Sequence, residues 1–313
     1  MTILVFGSGA IGSAFGGFLL RAGHRVILYG RARHLSRVKK HGLRVSGIWG
    51  RHCFKGLQVV TNLAGLKQLN IRYDLMLLTV KAFDTFQAAR QAKSVIQAKT
   101  LVCSLQNGLG NIEALHRVFP KRQVIAGRVI FGVELHPGEI KITVWGGDVL
   151  VGETAMKRLT SRVKQLAVLF SKAGIRSQAV SDIRQHIWGK VIYNCALNPL
   201  ASLLHVHYGA LLEKPMTRDM MKQVVQECYA VAKKGRLNLK PRKAADYERL
   251  LFRRLIPDTY YHHPSMLFDL ERNRPTEIEA LNGAICHLGK RRRVPTPMNG
   301  LIYNLMRTAS CRG

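Results

Sequence analysis

An apolar run at the start of the chain, Ile3-Leu-Val-Phe6, breaks directly into Gly7-Ser-Gly9-Ala-Ile-Gly12. The G-x-G-x-x-G spacing constrains the fold through its flanks. A β-like run precedes it, a helical run from Ser13 to Ala22 follows, and a second apolar run, Arg25-Val-Ile-Leu-Tyr29, comes next. In a strand–turn–helix–strand unit each glycine has its own use. One makes the tight turn, one lets the backbone approach a pyrophosphate, and one lets the helix pack on the strand. The helix N-terminus then offers free N–H groups to the phosphates. Gly7, Ser8, Gly9, Ala10, Ile11 and Gly12 are therefore candidate cofactor-binding residues. The alternative at this point is a glycine-rich turn in some other α/β protein.

Residues 3–20 carry no charge, so the same stretch could pass for a signal peptide or membrane span. No basic region precedes it and five glycines interrupt it, so the expectation is a soluble, cytoplasmic chain with no membrane partner.

The first half alternates. Strands are expected at 2–6, 25–29, 57–60, 74–79, 101–104 and 123–131, with helices at 10–22, 32–41, 84–97 and 110–117. That rhythm implies a mostly parallel, doubly wound sheet covered on both faces. Residues 132–153 read as antiparallel strands closing this domain, 155–173 as a helix and 177–180 as a short strand. From Asp182 the pattern turns helical, with candidates at 182–204, 216–235, 241–254, 266–273, 276–290 and 297–308. The reading is an α/β Rossmann-type domain over 1–180 and an all-α substrate domain over 181–313, with a cleft expected between them.

Lys and Arg number 49 against 18 Asp and Glu, a net charge of +31. Such an excess attracts anions and nucleic acid without specificity. The basic residues are spread along the chain, however. There is no zinc-finger spacing, aromatic RNP pattern or basic tail, so no specific nucleic-acid partner is expected. The six cysteines (53, 103, 195, 228, 286 and 311) lack ligand spacing and read as reduced thiols, with no metal site.

An NAD-specific domain usually ends its second strand with an acid that binds the ribose hydroxyls. Here the strand ends Leu28-Tyr29-Gly30-Arg31, with Arg33 two residues on. Arginine attracts a 2′-phosphate, which an acid would repel. The expectation is NADPH/NADP+, with Arg31 the main contact and Arg33 a secondary one. The competing reading gives both arginines to the general basic surface.

Two segments of the second half stand out. In Trp188-Gly-Lys190-Val-Ile-Tyr-Asn194-Cys-Ala-Leu-Asn198-Pro199, the residues Lys190, Asn194 and Asn198 fall on one helical face. Their neighbours are apolar, so a cation and two amides lie in a core-facing helix and need partners. A ligand or a polar helix–helix contact would serve. In Pro264-Ser265-Met-Leu-Phe-Asp269 and Arg274-Pro275-Thr276-Glu277-Ile-Glu279, Ser265 could cap a helix. Pro275 suits a helix start, Thr276 with Glu279 resembles a capping box, and Glu277 would lie in the first turn.

Taken together, Gly7 to Gly12, Thr79-Val-Lys81-Ala, Gln106-Asn107-Gly108, Trp188-Gly-Lys190…Asn194…Asn198-Pro199, Ser265-Met266…Asp269 and Thr276-Glu277-Ile278…Asn282-Gly283 resemble the ketopantoate reductase (2-dehydropantoate 2-reductase) family. The resemblance runs through nearly the whole chain, in the family's order. Residues 132–146 follow the family less closely, and Pro275 has no place in its pattern.

The resemblance implies an oxidoreductase that reduces ketopantoate to pantoate with NADPH, on the route to pantothenate and coenzyme A. It makes Lys190 the general acid and Glu277 the residue that orients the substrate hydroxyl. Asn194 and Asn198 would bind substrate oxygens and Ser265 the carboxylate. Asn107 would lie near nicotinamide and substrate, and Lys81 near the cofactor. The partner is then a small 2-oxo acid; a homodimer is an allowed assembly, which the sequence does not specify.

The chemistry agrees with the residues. Hydride arrival builds negative charge on a carbonyl oxygen, which an ammonium can stabilise and protonate. His186, one turn before Lys190, and His262 and His263 are rival donors. Two other readings stand beside this one: a related reductase of another 2- or 3-oxo acid, and a nucleotide-sensing or nucleic-acid-binding protein without catalysis. A binding module needs neither Lys190 nor Glu277.

Overall fold

The computed structural model describes residues 1–310, so Cys311 lies outside the described residues. Two compact units divide the chain: Met1–Gln106 with Asn111–Ile183, and Asn107–Gly110 with Arg184 onward.

The first unit contains β1 (Thr2–Phe6), α1 (Ala10–Arg21), β2 (Arg25–Tyr29), α2 (Ala32–His41), β3 (Leu43–Gly47), β4 (His52–Phe54), β5 (Gln58–Val60), α3 (Leu63–Gln68), β6 (Leu75–Leu78) and α4 (Thr85–Lys93). It continues with β7 (Leu101–Ser104), α5 (Asn111–His116), β8 (Val124–Arg128), β9 (Phe131–His136), β10 (Glu139–Trp145), β11 (Val149–Glu153), α6 (Ser161–Lys172) and β12 (Ser177–Ala179).

Eight strands form the main sheet in the order β12-β11-β8-β7-β6-β1-β2-β5. Every neighbouring pair is parallel except β8 with β11. The central strands are nearly continuous apolar runs because both faces are covered. Ile3, Val5, Leu75 and Leu77 enter one core cluster, while Leu4, Phe6, Met76 and Leu78 enter another. That alternation is the two-residue period of a strand.

The expected closure by residues 132–153 divides in two. Only β11 joins the main sheet; the β9–β10 hairpin leaves it and builds a second sheet, β4-β3-β10-β9. The second sheet exists because β10 pairs in parallel with β3, Ile140 opposite Val45. Its inward side is strongly apolar: Val45, Ile140 and Ile142 are buried, and Trp49 packs on Phe131 and Trp145.

The second unit holds α7 (Ile183–Leu203, whose first residue falls in the first unit), α8 (Tyr208–Glu213), α9 (Pro215–Lys234), α10 (Ala244–Leu250), α11 (Ser265–Glu271), α12 (Asn282–Arg292) and α13 (Pro297–Ser310). Its core gathers Val191, Ile192, Ala196 and Leu197 of α7 with Val224, Val225 and Val231 of α9 and Ile285 of α12. The helix expected over 241–254 changes to a π turn at Leu251–Leu255. The helix expected over 276–290 is a 3-10 turn, Ile278–Ala280, followed by α12.

Among the described residues no helix is long and apolar enough to cross a membrane. The five described cysteines are free thiols.

Candidate active site

The three opening glycines differ in what surrounds them. Gly7 has φ +109°, and a Cβ there would lie 2.6 Å from the backbone nitrogen of Val80. A Cβ on Gly12 would lie 2.4 Å from the carbonyl oxygen of Gly7 and 2.6 Å from Thr79 Oγ1. A Cβ on Gly9 would meet nothing within 4 Å. The first glycine therefore makes the turn, the third closes helix against loop, and the middle one faces open space where a ligand can approach.

Gly7 N–H and Ser8 N–H both donate to the Tyr29 carbonyl, and Ser8 Oγ donates to it as well at 3.0 Å. Ser8 thus ties the loop to β2 instead of presenting its hydroxyl outward. Ala10, Ile11 and Gly12 begin α1, where backbone N–H groups lack intrahelical acceptors, and the first turn carries no acid. Thr79 Oγ1 donates to the Gly7 carbonyl at 2.7 Å, which fixes the end of β6 on the loop. Lys81 follows at the N-cap of a 3-10 turn, Ala82–Asp84. This junction of β1 and β6 is where the strand order reverses, the usual ligand crevice of such sheets. The loop fits a dinucleotide.

Arg31 is the N-cap of α2, and Arg33 lies in its first turn; both are exposed. Neither has an ion-pair partner among the described residues. Gly30 packs on Ser8, a Cβ there lying 3.1 Å from Ser8 Cβ, so Arg31 begins beside the glycine loop.

In the second unit, α7 carries Lys190, Asn194 and Asn198 on one face, with the two asparagines buried and Lys190 half-buried. Lys190 Nζ donates to Asn107 Oδ1 at 2.5 Å. Asn107 belongs to this unit because its segment is pinned there: Leu109 N–H donates to the Ala280 carbonyl at 2.8 Å, and Gly108 (φ +86°) packs on Ala280. Ala280 closes the short turn whose N-cap is Glu277, itself buried. One segment thus links the lysine of α7 to the turn that starts at Glu277. Asn198 Oδ1 accepts from the Tyr208 hydroxyl at 2.7 Å, which turns its Nδ2 donors away from Tyr208.

Ser265 is exposed, and it is the first residue of α11, whose N-cap is Pro264. Ser265 forms no hydrogen bond with the other candidates among the described residues. The expected capping box is not formed. Thr276 Oγ1 is buried without a partner among the described residues, while Glu279 accepts from Tyr303 Oη at 2.7 Å and pairs with Arg307. Asp269 pairs with Arg274 at 2.9 Å, bracing the loop that leads to Glu277.

Two family models cover this architecture, ketopantoate reductase PanE/ApbA over residues 3–155 and its C-terminal counterpart over 182–310. The chain belongs to the ketopantoate reductase family. It is 37% identical over 308 residues to 2-dehydropantoate 2-reductase of Aquifex aeolicus, covering 98% of this chain and 96% of that one. It is 30% identical to the enzyme of the same name from Pyrococcus horikoshii, covering 100% and 99%. Among solved structures, a PanE/ApbA family ketopantoate reductase from Ralstonia eutropha JMP134 superposes with TM-score 0.88 at 30% identity, covering 99% of this chain and 98% of that one. A D-mandelate dehydrogenase solved with NADH and anilino(oxo)acetate superposes with TM-score 0.90 at 27% identity, with the same coverage.

Within this family frame the structure adds groups that no local pattern marks. Tyr208 holds Asn198, and Tyr247 Oη donates to the Gly189 carbonyl at 2.7 Å, one residue before Lys190. Both contacts join residues far apart or on different helices, so spacing could not reveal them. His262 and His263 lie in the loop before α11, and His186 is half-buried one turn before Lys190.

His262 packs edge-on to Tyr208 at 5.2 Å, and burial, with a smaller push from His263, lowers its pKa to about 4. The folded chain keeps this ring neutral, whereas the unfolded chain protonates it below about 6.5. Stability should therefore fall as pH drops from 6.5 towards 4, by on the order of 1–3 kcal/mol from this group. Urea unfolding at several pH values should show that slope, reduced in His262→Gln; an unchanged slope would remove His262 as its source.

Proposed function

We propose that this chain reduces ketopantoate to pantoate with NADPH, as the residues of its second unit support. One observation carries the reading: a half-buried ammonium, Lys190 Nζ, held by Asn107 Oδ1 on the segment that also braces the Glu277 turn. A helix–helix contact alone would explain Asn194 and Asn198, but it leaves the lysine–asparagine pair without a purpose.

When bound, the reduced nicotinamide supplies hydride to the ketone carbon. The N–H groups of Ala10, Ile11 and Gly12 would hold the pyrophosphate, with Gly7, Ser8 and Gly9 shaping the loop. Arg31, helped by Arg33, would take the 2′-phosphate, and Lys81 would border the cofactor. Lys190 donates a proton from Nζ to the ketone oxygen as charge builds there, and regains one from solvent. Asn107 aims that ammonium. Asn194 and the Nδ2 of Asn198 donate to substrate oxygens, Ser265 Oγ to the carboxylate, and Glu277 accepts the substrate hydroxyl. On this reading the partner is a small oxo acid in the cytoplasm rather than nucleic acid or a membrane, and a homodimer is a compatible assembly.

The likeness to a D-mandelate dehydrogenase supports a second substrate, a 2-oxo acid bearing a phenyl group. The two acids separate on the hydroxyl that Glu277 would accept. Glu277 would gain a hydrogen bond only from the acid that carries this hydroxyl, so the analogue lacking it is bound less well. Loss of reduced-nicotinamide absorbance should show kcat/KM at least about 100-fold higher for ketopantoate than for the phenyl 2-oxo acid. The reverse preference would keep the reductase and replace its substrate; no turnover with either acid would refute the reading.

A further inference from the structure

Pro199 lies inside α7. Proline has no N–H, so the carbonyl four residues earlier loses its helical donor. That carbonyl belongs to Cys195, between Asn194 and Asn198, and it is buried. It is not left unpaired: Asn282 Nδ2 donates to it at 3.2 Å from the start of α12. A side chain on another helix replaces the missing rung.

The direction of this replacement is set from further away. Glu227 of α9 accepts from Met298 N–H and Asn299 N–H at 2.8 and 2.9 Å, and from Asn299 Nδ2 at 2.7 Å. A carboxylate only accepts, so Asn299 must turn its amide nitrogen to Glu227 and its Oδ1 to Asn282. Asn282 Nδ2 donates to that Oδ1 at 3.0 Å. With both neighbours acceptors, the Asn282 amide has one orientation. Its own Oδ1 is buried without a partner among the described residues. Asn282 and Asn299 are fully buried, so the arrangement is shielded from water.

We infer that Asn282 is a positioning residue for the reduction. It substitutes for the amide that Pro199 lacks and so fixes how the half of α7 bearing Lys190 and Asn194 meets the half bearing Asn198. The inference rests on the reductase reading above for its kinetic consequence and on α7 alone for its structural one. Without the donor, an unpaired buried carbonyl favours local opening of the helix at this rung. The two amides would then lose their fixed separation, and oxo-acid binding would weaken while the nucleotide loop of the first unit would not change.

The test uses the full chain as wild type, Asn282→Ala, Pro199→Ala and the double variant. Pro199→Ala returns a backbone N–H to the Cys195 carbonyl and makes Asn282 redundant. Asn282→Ala should raise KM for ketopantoate about tenfold, leave KM for NADPH within about twofold, and speed hydrogen exchange in residues 195–204. The double variant should recover both the KM and the exchange rate to within about threefold of wild type. A role in stability alone would lower the folded fraction and Vmax without moving that KM. An unchanged ketopantoate KM and exchange rate in Asn282→Ala, or a double variant no better than Asn282→Ala, would overturn the proposal. If Asn282→Ala does not fold, recovery of folded protein with wild-type exchange in the double variant supports the proposal and failure to recover overturns it. If wild type reduces no oxo acid, the reductase reading falls, and exchange at 195–204 still decides the role of Asn282.

Discussion

Lys190→Ala is expected to lower kcat for ketopantoate about 10³-fold while leaving the NADPH dissociation constant within about twofold. The ammonium has two tasks in one step. It stabilises the charge that grows on the ketone oxygen, and it delivers the proton that completes the alcohol. A positioned acid contributes roughly 10²–10⁴-fold, and loss of one oxyanion donor roughly 10²–10³-fold. One group performs both, so the losses overlap instead of multiplying. The scaffold should survive the change. Val191, Ile192, Ala196 and Leu197 anchor α7 in the core, and alanine is the best helix former. The nucleotide loop lies in the other unit and keeps its residues. Lys190→Arg separates the two tasks: the charge stays, but a guanidinium does not release its proton. It should recover little of the lost rate. Single-turnover kinetics with bound NADPH would measure both variants, and a kcat within tenfold of wild type for Lys190→Ala would remove Lys190 as the acid.

The elements that carry this chemistry were legible where the signal is local. The continuous apolar run of Ile3 to Phe6 and the glycine spacing mark β1, the turn and α1, and the structure distinguishes the glycines as the motif requires. The i, i+4, i+8 spacing of Lys190, Asn194 and Asn198 needs only one helix, and α7 runs through all three. What escaped the sequence depends on distant partners. Leu43 to Gly47 becomes a strand because β10, almost a hundred residues later, pairs with it. Thr276 and Glu279 have capping-box spacing, but Tyr303 and Arg307 on α13 engage Glu279 instead. Asn107 follows a strand of the first unit, yet the bond from Leu109 to Ala280 places its segment with the second. Tyr208 and Asn282 act on α7 from other elements, and no periodicity within α7 points to them.

Replacing Arg31 should change which nicotinamide nucleotide is used. Arg31→Ala is expected to weaken NADPH binding about 10–100-fold and to leave NADH within about threefold, because a hydrogen bond to a charged group contributes about 1.5–3 kcal/mol. The position favours such a bond. Arg31 begins α2, where helix N–H groups already favour an anion, and no acid lies in that first turn. Gly30 lets the chain pass close to Ser8, so the backbone of Arg31 begins next to the glycine loop. Arg33 is one step further along the turn, and Arg33→Ala should cost NADPH only a few-fold. The overall charge of +31 offers a rival explanation, since a diffuse positive field also attracts a phosphate. The two differ in their response to salt and to sign. A diffuse field is screened, with a Debye length of about 10 Å at 0.1 M and 3 Å at 1 M, and loses little when one of 49 cations is removed. A direct contact persists at high salt and depends on its own side chain. Arg31→Asp should go further, repelling the 2′-phosphate while offering a carboxylate to ribose hydroxyls, so that NADH becomes the preferred nucleotide. Titration of both nucleotides at low and high salt would measure this. Equal weakening of NADPH and NADH in Arg31→Ala, or an NADPH preference in Arg31→Asp like that of wild type, would return Arg31 to the general basic surface.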